Sequence, residues 1–352
     1  MKKQIACIAF LLFSFLCNNS YSQNVEKPDK SEQLTELFRS QEILSVKLGF
    51  SNKDVKKKTN DSTYIKTNLS YEAGDGSWKE FEVELRVRGN FRLAKCYFPP
   101  IKVKINKSAS KGTLFEGNKK LKLVLPCSTQ KSKNDYIVKE FMAYKLYEII
   151  SPYNFITRLS DISFTEERGN KIKTHELKGI FVEDDKKIAK RFGGRVLDRS
   201  VNPLSQNPLT SVQNAFFQFM IGNNDFSTYA PHNIKLFEIN KKVIPIPYDF
   251  DLSGLVNANY AVVSVINDVP LTSSVTERLY RGFERDQKTI LQVRNEFLEN
   301  KVKLLGVVDS LEPFFDDPKG FSKAKDFISD FFEIMQDDDL FEKKITDKLR
   351  TK

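Results

Sequence analysis

The sequence predicts an α+β fold in two lobes, a strand-rich N-terminal lobe with one embedded helix and a mainly helical C-terminal lobe that carries a hairpin. Three observations predict it. Short runs of alternating apolar and polar residues recur between residues 43 and 125. Residues 135–150, DYIVKEFMAYKLYEII, change to a helical period. The composition then shifts near residue 184, beyond which helical stretches surround one pair of strand-like runs. The expected lobes are residues 41–183 and 184–352, with a ligand cleft between them.

The 352 residues are 40% hydrophobic and 29% charged, with a formal net charge of +10. That suffices for one large domain or two lobes with separate cores. Lysines are scattered among acids, and neither zinc-finger spacing nor a basic-aromatic RNA-binding motif occurs, so nucleic acid is not an expected partner. Residues 1–22 have the build of a cleavable signal peptide: Lys2-Lys3, an apolar run from Ile5 to Cys17, then Ser20-Tyr21-Ser22 before Gln23. The mature protein is expected to be exported, periplasmic or extracellular, without a transmembrane segment. Residues 23–40 are expected to be flexible. Removal of the signal leaves Cys96 and Cys127, a disulfide candidate in an oxidising compartment, with two buried thiols as the alternative.

In chain order, residues 43–50 read as a strand and 52–62 as a polar loop. Strands follow at 64–69, 81–88, 101–105 and 121–125. In the third of these, Ile101, Val103 and Ile105 face one side while Lys102 and Lys104 face the other. The helix at 135–150 is capped by Asn134 or Asp135 and stopped by Pro152. On it, Glu140 shares a stripe with Tyr144 and Tyr147. Residues 162–164 and 179–182 read as strands around a polar hairpin at 166–173. Helices are expected after Glu183-Asp184-Asp185 and over 212–221, 275–282, 286–311 and 322–335.

Residues 222–254, GNNDFSTYAPHNIKLFEINKKVIPIPYDFDLSG, carry the densest chemistry. Asp225 precedes the hairpin, Asn233 stands at its entrance, and Asp249 and Asp251 follow its exit. Such an oxygen-bearing set suits a hard cation and phosphoryl transfer, with one Asp near the acceptor and an Asn and an Asp on metal. Two histidines and two mature cysteines make a zinc hydrolase a poor fit, and no G-x-S-x-G elbow supports acyl transfer.

The sequence resembles the CotH family of secreted and spore-coat atypical protein kinases, over roughly residues 81–254. The resemblance lies in Arg88-Gly89-Asn90, FPPIKVKI, LFEGNKKLKLVL, KEFMAYKLYEII, LKGIFVEDD, GNNDFSTYAPHN and IPYDFDLSG, and is nearer to a Gram-negative branch with cysteines before and after the basic strand. It implies a two-lobed protein-kinase-like fold. It implies that Lys104, or alternatively Lys102, holds phosphate with Glu140 as its helix partner, and that Arg88 approaches phosphate. Residues 179–183, ending at Glu183, would border the adenine. Asp225 would be catalytic, and Asn233, Asp249 and Asp251 would bind metal. The chain departs from kinases in lacking a G-x-G-x-x-G loop and an H-R-D triplet, and it has Tyr248 where many relatives carry Trp.

The expected activity is transfer of the ATP γ-phosphoryl group, with Mg²⁺ or Mn²⁺, to Ser or Thr of an exported or envelope protein. The alternatives are a non-catalytic envelope binding or structural protein on the same fold, and a transferase that moves another group such as AMP.

Overall fold

The computed structural model describes residues 34–89, 91–169 and 171–351. The expected signal peptide, most of the expected flexible segment and Asn90 lie outside the described residues. A short helix α1 (Glu36–Arg39) leads into β1 (Leu44–Phe50), α2 (Asn52–Lys58), β2 (Ile65–Glu72), β3 (Trp78–Val87), α3 (Phe91–Lys95), β4 (Ile101–Ile105) and β5 (Lys120–Val124). Helix α4 (Asn134–Ile150) and the long strands β6 (Thr157–Arg168) and β7 (Lys171–Val182) follow.

These strands close into a barrel in the order β1-β2-β3-β4-β5-β7-β6. Closure depends on β1, which runs antiparallel to β2 and parallel to β6, from Leu44 opposite Ser160 to Phe50 opposite Glu166. This corrects the expected fold. The chain does not form a two-lobed protein-kinase-like fold; its strands make a closed seven-stranded barrel within a protein of mixed α/β content. Alternation marks the buried face of a strand but not its neighbours, and the closing β1–β6 pair joins segments far apart in sequence. The inward residues, among them Leu85, Val103, Phe115, Phe164 and Phe181, fill the barrel interior.

Beyond β7 come α5 (Asp185–Arg191), β8 (Arg195–Leu197), α6 (Pro208–Met220), β9 (Ile234–Ile239) and β10 (Lys242–Pro247). A small hairpin, β11 (Val265–Ile266) and β12 (Val269–Pro270), precedes α7 (Gln287–Glu299), α8 (Lys301–Ser310), α9 (Pro318–Gln336) and α10 (Asp338–Lys344). Strands β10, β9 and β8 form their own sheet. A second apolar core lies against the outside of the barrel wall. There Val124, Leu159, Ile180 and Val182 join residues of α4, α6 and α9. Helix α4 thus packs on the barrel and on the C-terminal helices together, which brings its side chains to the mouth of the β9–β10 hairpin.

Several boundaries differ from expectation. Ser51 accepts from the Asp54 N–H at 3.2 Å and caps α2, where a loop was expected. The polar segment at 166–173 continues β6 and β7 in register, Glu166 opposite Lys173. Residues 275–282 are not helical, because Arg278 and Arg281 tie this segment to the carbonyls of Met220, Asn224 and Phe226. The expected helix at 286–311 divides into α7 and α8 at Asn300. Among the described residues no helix is long and apolar enough to cross a membrane.

Candidate functional site

The β9–β10 hairpin fixes two of the expected residues by unusual backbone geometry. Asn233, just before β9, has φ 52°, and Asp249, just after β10, has φ 65°. Asn and Asp enter this left-handed region more readily than most residues. The Tyr248 N–H donates to the Asn233 carbonyl at 3.0 Å, and the Asp249 N–H donates to the Tyr144 hydroxyl at 3.0 Å. Those bonds close the hairpin mouth and dock it on α4.

Asp225 faces the mouth. Its carboxylate accepts from Asn233 Nδ2 at 2.9 Å and lies 3.2 Å from His232 Nε2. The hydrogen bond to Asp225 holds the His232 imidazole above its usual range. Asn233 Nδ2 also donates to the Asp225 carbonyl at 2.8 Å, so this amide clamps the aspartate to the hairpin.

Deeper in, Glu140 of α4 meets Asp249 and Asp251. Burial, and then the charge of Asp249, pushes the Asp251 carboxyl up to about 7. Burial, with Asp251 and Asp249 adding to it, raises Glu140 well above the usual carboxylate range. Glu140 Oε1 has no hydrogen-bond partner among the described residues.

Cations from the barrel answer these carboxylates. Arg88 Nη2 lies 3.8 Å from Asp249 Oδ2, and Arg92 Nε lies 3.7 Å from Asp251 Oδ2. Gly89, at φ 72°, turns the chain between the two arginines, a conformation that glycine enters without steric cost. Tyr260 also donates to Asp251, at 3.1 Å. Arg92 is buried and donates through Nη2 to the Leu125 carbonyl. The segment that carries it is fastened to the end of β5 by the Cys96–Cys127 disulfide, with Cα atoms 4.5 Å apart. The pair for which the sequence left two states open is therefore joined, and it stands directly behind Arg92.

A second buried cation facing this cluster is Lys122 on β5, which is not among the expected residues. Its Nζ lies 4.5 Å from the ring centre of Phe155 and 4.2 Å from that of Tyr248. Burial, and then the charge of Arg88, lowers its pKa to about 7. It has no hydrogen-bond partner among the described residues. Lys102 stands directly opposite Lys122 on β4, its Nζ 3.8 Å from Asp184 Oδ2. Lys104, two residues along, is 2.8 Å from Glu84, its cross-strand neighbour on β3. Lys104 is thus paired with Glu84 and not with Glu140. A signal for Lys122 did exist. Leu121-Lys122-Leu123 repeats the alternation of β4 and puts its lysine on the same outer face.

Glu183 is engaged elsewhere. It accepts from the Ile156 N–H at 2.7 Å and pairs with Arg191 Nη1 at 2.7 Å, tying β7 to α5. Among the described residues no three His, Cys, Asp or Glu side chains stand together in metal-holding geometry. As arranged, Asp225, Asp249 and Asp251 each face a cation or amide of the protein, so they do not form a ready metal site.

A scan against protein-family models returned no match, and neither did a search of curated proteins.

Proposed function

We propose that this chain is an exported CotH-like phosphotransferase that moves the γ-phosphoryl group of ATP to a Ser or Thr hydroxyl of an envelope or secreted protein. The observation that carries the reading is the convergence of Arg88, Arg92 and Lys122 from the barrel on Glu140, Asp249 and Asp251 in one cluster that leaves Lys122 Nζ and Glu140 Oε1 unpartnered. Buried polar groups without partners are rare, and a phosphate chain supplies the acceptor that Lys122 lacks.

In this reading Lys122 and Arg88 hold phosphate oxygens, while Asn233 and His232 position Asp225. The acceptor oxygen forms a bond to Pγ as the bond from Pγ to the bridging oxygen breaks, and the hydroxyl proton passes to Asp225. Mg²⁺ or Mn²⁺ would enter as the companion of the triphosphate, and no step is drawn through it. The disulfide agrees with export into an oxidising compartment.

A second reading, a non-catalytic envelope binding protein, is favoured by the protein partners that Asp225, Asp249 and Asp251 already have. Calorimetric titration with ATP, with and without Mn²⁺, separates the two. The expected result is binding that weakens about tenfold or more in Lys122→Met, equivalent to about 1.4 kcal/mol. Asp225→Asn is expected to keep that binding and to lose transfer of labelled γ-phosphate. Absence of binding in both conditions would leave the non-catalytic reading standing.

A further inference from the structure

Asp225 also lines a groove of about 440 Å³ together with His232, Tyr229, Ile266, Arg281 and Arg350. Resting on the reading above, we propose that this groove docks the acceptor as an extended polypeptide segment carrying a large apolar side chain and a carboxylate beside the modified hydroxyl.

Three observations point to that occupant. The first is exposed apolar surface. Tyr229 is 64% exposed, Val265 55% and Ile266 46%, and all three line the groove. Isolated exposed apolar residues need no explanation, but a contiguous set beside a candidate site marks an interaction surface.

The second is an open sheet edge. Strands β11 and β12 form a two-stranded sheet of their own. Their turn residues Asn267 and Asp268 have φ 49° and 63°, the geometry of a tight hairpin turn that matches strand twist. A two-stranded hairpin is marginal by itself, and an added strand completes it through main-chain hydrogen bonds. An extended polypeptide provides that strand; a compact small molecule does not.

The third is charge. Arg350 stacks over Phe283 at 4.3 Å, and Arg281 gives its Nη1 to the carbonyls of Asn224 and Phe226 at 2.6 and 2.8 Å. Neither arginine lies within ion-pair distance of a carboxylate among the described residues. The groove therefore presents two guanidinium groups to its contents, and a carboxylate on the docked segment complements them. With the apolar residue against Ile266 and Val265, the segment lies along the groove that ends at Asp225.

The test uses the full chain and two fluorescent Ser-containing peptides, one with Leu and Asp flanking the Ser and one with Ala and Lys, read by anisotropy. ATP titration is run on the same samples. Wild type is expected to bind the Leu/Asp peptide about tenfold more tightly than the Ala/Lys peptide. Ile266→Asp should erase the contribution of Leu, and Arg350→Glu should reverse the preference from Asp to Lys, with ATP affinity unchanged in both. A reversal of preference cannot arise from misfolding. Equal binding of the two peptides, or a preference that both variants retain, overturns the docking groove. Loss of ATP binding with the peptide preference intact overturns the donor reading and leaves the groove standing.

Discussion

Three buried polar clusters in this molecule differ in how their carboxylates and cations are partnered. At one end of β6 and β7, Glu166 is met by Tyr97, by Arg168 Nε at 2.9 Å and by His175 Nε2 at 3.3 Å. At α5, both oxygens of Glu183 are likewise engaged, by Arg191 Nη1 and by the Ile156 N–H, although Arg191 Nε has no hydrogen-bond partner among the described residues. In the cleft beside the β9–β10 hairpin, by contrast, Lys122 Nζ, Arg92 Nε and Glu140 Oε1 have no hydrogen-bond partner among the described residues. A satisfied network specifies a fold, whereas a set of buried groups without partners costs stability and persists where something else supplies the partners. The difference between the clusters is what separates scaffold from site here.

The sharpest way to break the comparison is to remove one cation from the cluster at α5 and one from the cleft. Arg191→Met leaves Glu183 buried and unpaired and is expected to cost about 3–5 kcal/mol in denaturant unfolding. Lys122→Met removes a buried amine that has no hydrogen-bond partner, only the faces of Phe155 and Tyr248, and replaces it with an apolar chain of similar length between those rings. Stability should hold or rise, by roughly 1 kcal/mol. If Lys122→Met instead destabilises as much as Arg191→Met, the cleft cluster is structural and the contrast fails.

Much of this contrast was legible in the sequence, and its limits have physical causes. Asp225, Asn233, Asp249 and Asp251 are close in the chain, and one hairpin brings them together, so local patterning sufficed. Glu140 was placed by helical periodicity. The buried lysine was not, because strand alternation puts Lys102, Lys104 and Lys122 on one outer face and is silent about which part of that face is later covered. Tyr248 and Phe155 arrive from distant segments to bury Lys122 alone. Barrel closure was invisible for the same reason: the parallel β1–β6 pair leaves no local mark. Arg92 was hidden because its short helix reads as a polar break after β3, and the disulfide, the Leu125 carbonyl and Asp251 that hold it in place all come from distant segments.

The satisfied cluster makes a second, smaller prediction through pH. Burial alone would raise Glu166, but hydrogen bonds from Arg168, Tyr97 and His175 outweigh it and hold the carboxyl below its usual range. A carboxylate depressed in the folded state adds stability that is present above its unfolded pKa of about 4.3 and is lost as pH falls through the folded value. Thermal unfolding followed from pH 7 into the acid range should therefore show a loss of stability below about pH 4.3 that is reduced in Glu166→Gln. The same acid slope in both proteins would mean that Glu166 is not held low by its partners.

The smallest expected effect concerns the lysine that the family resemblance favours. Lys104 is 2.8 Å from Glu84, and the two side chains are 44% and 26% exposed. An ion pair that solvent reaches contributes about 0–1 kcal/mol, and salt screens it further. Lys104→Met should thus change unfolding stability by less than about 1 kcal/mol, and that difference should shrink as salt is added. ATP affinity should remain at the wild-type value, because the Nζ is already committed to a carboxylate on the barrel's outer face and Glu140 is not its partner. Lys122 and Lys104 sit on neighbouring strands with the same orientation, so substituting each in turn varies only cover and partner. If Lys104→Met weakens ATP binding as much as Lys122→Met does, phosphate lies further out on the barrel wall than the buried cluster, and the contrast between paired and unpaired groups no longer locates the site.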